Sequence, residues 1–278
     1  MPELPEVEAV RRRLEPAMRG ARINRVELRR ADLRRPFPAG FAARLQGRRV
    51  RAVDRRGKYL LVGLDSGDTL LMHLGMSGSF RVDRGGSRRP SSAELTLDRH
   101  DHVVFTLSNG AVVTFNDPRR FGLMDLIGGG LRVAHQPLEQ MGPEPLSAAF
   151  DAAALAAAAC AGKRVALKPA LLDQRVVAGV GNIYASEALH AAQLSPLRRA
   201  STIATRARRP RTSAVRLAAA IKSVLREAID RKARRDHDPR FKVYEREGDP
   251  CRRRGCRGVV RRMAQAGRST FYCPICQR

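Results

Sequence analysis

The last thirty residues hold four cysteines, Cys251, Cys256, Cys273 and Cys276, spaced Cys-x4-Cys-x16-Cys-x2-Cys. This pattern restricts what the tail can fold into more tightly than any hydrophobic run in the chain. Paired thiolates two to four residues apart, joined by a span long enough for a hairpin, assemble a tetrahedral zinc site from two turns. Disulfides are the rival reading, and an intracellular chain with a leftover Cys160 speaks against them. Four protein sulfurs leave no position for water, so we expect one structural zinc ion that folds the tail. Cys160, alone in an alanine-rich stretch, reads as a small core residue rather than a nucleophile.

Seven arginines, at 252, 253, 254, 257, 261, 262 and 268, would make that tail a basic clamp. The whole chain has a formal net charge of +26, and only six of its 53 basic residues are lysine. Guanidinium forks match phosphate oxygens bidentately, so nucleic acid is the leading partner. Arginine on a merely solvated surface is the bland alternative. An acidic membrane surface fits poorly, because no run approaches the roughly 18 apolar residues of a spanning helix and no signal peptide precedes the acidic first turn. The chain is therefore expected to be soluble and cytoplasmic, with no membrane partner.

The periodicity of the text changes near the middle. From Ala21 to about Ile127 it is strand-like: "KYLLVGLDSGDTLLMHL" is two apolar runs around an Asp-Ser-Gly-Asp turn, and "HVVFTLSNGAVVTF" is two more around Asn-Gly. "GGG" at 128–130 and Pro137, Pro143 and Pro145 form a loop-rich connection. Helical patterns follow over Phe150 to Cys160, Asn182 to Ala192 and Ser213 to about Lys232. "RARRPR" at 206–211 is a charge run that solvates a loop or touches phosphates. Patterning alone thus gives a β-rich part, a helical part and a metal knuckle.

At the other end, "MPELPEVEAV" reads first as the start of a helix. Proline is tolerated there, acids complement the dipole, and Val7, Val10 and Leu14 recur at helical spacing. That accounts for Pro5 and Glu6 and leaves Pro2 and Glu3 over.

Together "MPELPEVE", "RGKYLL", "HLGMSGSF", "DPRRFG", "DQRVVAGVGNIYASEAL" and "GRSTFYCPICQR" resemble, in order and over nearly the whole chain, the formamidopyrimidine-DNA glycosylases. The resemblance implies an α+β, two-domain fold: an N-terminal β-sandwich with an N-terminal helix, then a helical helix-two-turn-helix domain with a β-hairpin zinc finger. The corresponding boundaries are 1–130 for the catalytic sandwich, 131–148 for a linker, 149–235 for the helix-two-turn-helix domain and 241–278 for the zinc finger. It also implies a bifunctional DNA glycosylase/AP lyase of base-excision repair. Such an enzyme flips out and excises oxidised purines, both formamidopyrimidines and 8-oxoguanine, then cleaves the backbone by β,δ-elimination.

With Met1 removed, Pro2 would offer a secondary amine, and terminal amines lose their proton near pH 8, far more readily than lysine. In the family this proline attacks the sugar C1′ and forms an iminium. Glu3 matches the acid that protonates the deoxyribose ring oxygen, and Glu6 resembles a supporting carboxylate. Lys58 is grouped with this catalytic set and matches a position that grips the backbone of the flipped nucleotide. Base flipping requires side chains that fill the vacated stack. Met76 matches the inserted methionine, Arg119 the arginine that bonds the orphaned base, and Phe121 the aromatic beside it. Asn182 and Arg268 match phosphate-gripping positions, Lys168 lies near the lesion in the family, and His73 either holds the Met76 loop or is a satisfied core histidine. The expected partner is damaged double-stranded DNA, met by a monomer with zinc and no small-molecule cofactor.

One segment departs from the family. Between Ile229 and Cys251 its members carry a longer insertion, a flexible loop that closes over an oxidised purine; here only "DRKARRDHDPRFKVYEREGDP" stands between them. Endonuclease VIII-like enzymes, which favour oxidised pyrimidines, are similarly short there, but usually lack "HLGMSGS" and "DPRRFG". Two readings from different classes stay open, a non-catalytic zinc-dependent DNA-binding protein and an RNA-binding protein. The second would interleave more aromatics with its basic patches than a chain without Trp does.

Overall fold

The computed structural model describes all residues except 85–95, 129–135, 161–164, 235, 237 and 239. The chain divides into two compact units, Met1–Glu139 and Gln140–Arg278. Among the described residues no helix is long and apolar enough to cross a membrane.

The first unit begins with helix α1 (Leu4–Met18), strand β1 (Ile23–Leu28) and the short helix α2 (Phe41–Leu45). Seven strands follow: β2 (Val50–Arg56), β3 (Tyr59–Leu64), β4 (Thr69–His73), β5 (Ser79–Arg84), β6 (Asp101–Leu107), β7 (Ala111–Asn116) and β8 (Leu123–Ile127). They form two antiparallel four-stranded sheets in the orders β1-β6-β7-β5 and β2-β3-β4-β8. Both anticipated hairpins are present, and their turns need a left-handed residue: Gly67 has φ +86° and Gly110 φ +82°. One core runs between the sheets and under α1, joining Val7 and Leu14 to Leu60, Leu70, Phe105, Val113 and Phe115. This is the β-sandwich with an N-terminal helix. Strand β3 is buried on its other face as well, where Leu61 packs with Leu71 and Ile127. That two-sided burial explains why the segment reads as a continuous apolar run.

Of the expected 131–148 linker, residues 131–135 lie outside the described residues, as do Gly129 and Gly130; a single turn, α3 (Gln136–Glu139), closes the first unit. The second unit holds α4 (Ala152–Cys160), α5 (Leu167–Leu172), α6 (Asn182–Ala191) and α7 (Thr212–Ala233). The reading of Cys160 as a core residue falls on a side chain outside the described ones. Helix α5 was not anticipated, because six residues with Pro169 in the first turn give too short a periodic signal. Helix α7 buries Ala214, Leu217, Ile221, Leu225, Ala228 and Ile229, a stripe at three- and four-residue steps. The tail is a hairpin of β9 (Arg261–Gln265) and β10 (Arg268–Tyr272), turned by Ala266 and Gly267, both with positive φ.

Candidate active site

Glu3 is the N-cap of α1 and is 2% exposed; it forms a capping box with Glu6, whose carboxylate accepts the Glu3 backbone N–H at 2.9 Å. Glu3 therefore also serves the start of the helix, a role that sequence reasoning gave only to Pro5 and Glu6. Pro2 stands half-buried just before the helix, and Met1 ahead of it is 47% exposed.

Arg55 fastens the neighbouring hairpin to this helix. Its Nε donates to Glu8 of α1 at 3.2 Å, and its NH1 donates to the carbonyl of Gly57 at 2.9 Å. Burial alone would raise the pKa of Glu8, but hydrogen bonds from Arg11, Arg12 and Arg55 outweigh it and hold the carboxyl below its ordinary range. The β2–β3 tip carrying Lys58 is thus tied to the helix that Glu3 caps, and Lys58 is 8% exposed. His73, at the end of β4, is a loop-holding residue: its Nδ1 accepts the Gly75 N–H at 3.0 Å. Burial, then the nearby cations Lys58 and Arg34, push its pKa down to about 4, which keeps the ring neutral and able to accept that bond.

Beyond His73, the loops of Met76 and of Arg119 and Phe121 are locked together. Asp117, fully buried, accepts Ser77 Oγ at 2.6 Å through one carboxylate oxygen and the Gly122 N–H at 2.7 Å through the other. Ser77 Oγ in turn accepts the Arg119 N–H at 3.2 Å. Gly75, at φ +61°, has no room for a side chain, since a Cβ there would meet the Phe121 carbonyl carbon. On this rigid base Met76 and Phe121 are each 42% exposed, and the Arg119 guanidinium lies 4.9 Å from the Phe121 ring centre. Neither apolar side chain is core. Sequence reasoning missed Asp117 and Ser77; the only available signal was that each sits inside a motif already singled out.

Lys168 stands in α5. It is 1% exposed, and its ammonium donates to Asn182 Oδ1 at 2.7 Å, Thr270 Oγ1 at 2.7 Å and the Ser269 carbonyl at 3.0 Å. Three acceptors satisfy a buried charge that would otherwise be costly, and they join Lys168 to the start of α6 and to the tail hairpin. Asn182, first residue of α6, also donates to Ser269 O at 2.9 Å, so helix start and hairpin are pinned together. Arg268 is exposed and has no ion pair among the described residues. Glu187, also missed, is buried in α6 and accepts the backbone N–H groups of Lys242, Val243 and Tyr244 at 2.8 to 2.9 Å.

The four cysteine sulfurs lie within 4.8 Å of one another, with Cys251–Cys276 at 3.8 Å and Cys256–Cys273 at 3.7 Å. Four ligands about 2.3 Å from one zinc ion stand about 3.8 Å apart in a tetrahedron, so the donor set fits. Buried His190 of α6 is 3.3 Å from Cys251 Sγ through Nε2, and Gln277 accepts the Cys273 N–H at 2.8 Å. Both lie outside the cysteine spacing and were invisible to it.

Family models match the chain in three places: the formamidopyrimidine-DNA glycosylase N-terminal domain over residues 1–124, the formamidopyrimidine-DNA glycosylase H2TH domain over 141–238, and a zinc finger found in FPG and IleRS over 248–278. A formamidopyrimidine-DNA glycosylase of a Bradyrhizobium species is 56% identical over 295 positions, covering all of both chains. Among solved structures, the MutM (FPG) protein of Thermus thermophilus superposes with a TM-score of 0.79 at 37% identity, covering 99% of this chain and 98% of that one. The Lactococcus lactis enzyme, solved non-covalently bound to DNA containing an AP site, gives 0.83 at 28% identity and 99% coverage of each. With the sandwich, the cysteine cluster and these matches in agreement, the chain belongs to the formamidopyrimidine-DNA glycosylase family and is a DNA glycosylase with one structural zinc site.

Proposed function

We propose that the chain is a bifunctional glycosylase and AP lyase acting on oxidised purines in double-stranded DNA, with Pro2 as nucleophile once Met1 is removed. The observation that carries the reading is the pair of exposed apolar side chains, Met76 and Phe121, held beside Arg119 on two interlocked loops. An exposed apolar pair on a rigid base costs solvation in the free protein and is recovered when it enters a base stack.

The chemistry follows from the amino terminus. The Pro2 nitrogen forms a bond to C1′ as the bond from C1′ to the damaged base breaks, and the base leaves with a proton. Glu3 protonates the sugar ring oxygen so that the ring opens and the nitrogen lone pair completes the iminium. Loss of a C2′ proton then expels the 3′ phosphate, and a second elimination expels the 5′ phosphate. Lys58 and the neutral His73 grip and position the backbone, while Asn182 and Arg268 hold the flanking phosphates. Zinc supplies no reacting group and keeps the hairpin that carries Arg268 folded.

Lesion preference rests on the segment after α7. Only seven residues, 235–241, separate Arg234 from the stretch that Glu187 anchors, which favours weak discrimination for 8-oxoguanine with retained activity on formamidopyrimidines and abasic sites. Excision rates on matched duplexes test this: removal of 8-oxoguanine as fast as formamidopyrimidine would overturn it.

The central test is borohydride trapping of the mature, zinc-loaded protein on a duplex with one abasic site, followed by peptide mapping. The expected adduct is on Pro2 and disappears when a tag extends the amino terminus. Trapping elsewhere, or none from protein that binds the duplex, overturns the proline mechanism.

A further inference from the structure

The 39 residues from Ala188 to Arg226 contain no aspartate or glutamate, and nine of them are arginine or lysine. The proposed chemistry uses none of these cations. A bare charge run would normally be a solvated loop, but this one is built. Thr205 N–H donates to Arg209 O at 2.9 Å, Arg208 N–H to Thr205 O at 2.9 Å and Arg211 N–H to Ile203 O at 2.9 Å. Thr205 Oγ1 accepts the Arg209 N–H at 3.1 Å, and Ala204 pairs antiparallel with Pro210. Arg208 sits at the tip with φ +58°.

This tied turn forms one wall of a cavity of about 510 Å³ lined by Arg198, Arg206, Arg208 and Arg211 with the hydroxyls of Thr202 and Thr205. Arg198 and Arg211 are oriented from within: their Nε atoms donate to Thr202 Oγ1 at 2.6 Å and to Ala204 O at 3.1 Å. Among the described residues none of the four guanidiniums is paired with a carboxylate, and no acid lines the cavity. Four unpaired cations around one concavity repel each other, and an anion relieves that repulsion. The volume lies within the roughly 300 to 1,000 Å³ of small-molecule sites, enough for several linked oxyanions.

We infer that this cavity of the second unit binds a run of adjacent phosphate groups. Phosphates match guanidinium forks and hydroxyl donors at the charge density that four arginines require. The same chemistry has two sources, a stretch of nucleic-acid backbone or a free polyphosphate chain. The inference rests on the DNA-repair reading only for the first source.

Full-length, zinc-loaded wild type is compared with R206Q/R208Q, which alters two exposed side chains of the turn, and with R48Q/R216Q. The control removes the same charge at exposed positions that do not line the cavity. Inorganic triphosphate is titrated by calorimetry at low salt, and affinity for undamaged duplex DNA is measured across a salt series. We expect triphosphate binding to weaken at least about tenfold in R206Q/R208Q and to be unchanged in the control. A salt slope reduced by about 1 to 2 in R206Q/R208Q alone assigns the site to DNA backbone. An unchanged slope with lost triphosphate binding assigns it to free polyphosphate. If R206Q/R208Q matches the control in both arms, no phosphate site exists there.

Discussion

The sandwich packs 28 buried apolar residues between its sheets and α1, whereas the zinc-bearing tail clusters three, Val243, Val260 and Phe271, with Tyr244 against them. A core of the first size can fold a unit by burial alone, since each buried aliphatic or aromatic side chain contributes about 1.5 to 3 kcal/mol. Three residues cannot offset the ordering entropy of the tail, so the thiolate cluster must supply the difference. The two regions of the chain therefore have different weak points: loss of shape in one, loss of an ion in the other.

Zinc removal breaks the comparison most severely. Chelation, or C273S at a fully buried ligand, should unfold the β9–β10 hairpin and weaken duplex binding by at least about an order of magnitude. Amide exchange should show β6 still protected while β9 and β10 lose protection; simultaneous loss in both would mean the sandwich also depends on the ion. The converse change is F105A in the sandwich, where a fully buried ring leaves a cavity. It should cost about 3 to 5 kcal/mol by urea unfolding with zinc content unchanged.

A smaller effect is expected within the sandwich at Asp117. D117N replaces one accepting oxygen with a donor facing Ser77 Oγ or the Gly122 N–H, at about 1 to 3 kcal/mol. It should slow single-turnover excision more than it weakens undamaged duplex binding, because the loops loosen while the basic surface is unchanged. The smallest effect is electrostatic. His73 titrates near 4 in the fold against an ordinary 6.5, so both states are neutral above 6.5. As pH falls from 6.5 to 4 the unfolded chain takes up the proton first, and stability declines until it levels below 4. Urea midpoints over this range should fall less steeply in H73Q than in wild type.

Much of this was legible because it is local. The Asn109-Gly110 and Asp65–Asp68 turns and the α7 stripe lie within a few residues of the features they specify, and the four cysteines form two short-spaced pairs joined by one hairpin. What stayed hidden acts across the chain. Ser77 meets Asp117 forty positions away, Glu187 holds backbone 55 to 57 positions on, and His190 reaches Cys251 across 61. The partners of Lys168 were hidden for the same reason: Asn182 and Thr270 lie 14 and 102 positions from it.

The grip of Glu187 on residues 242–244 has an evolutionary consequence. It fixes where the chain re-enters the fold, whatever path it takes after α7. Doubling the connecting segment would cost only about 0.6 kcal/mol of closure entropy. Insertions and deletions can therefore accumulate there as an interchangeable cassette, letting a lineage trim or extend the segment while the zinc-bearing tail keeps its register.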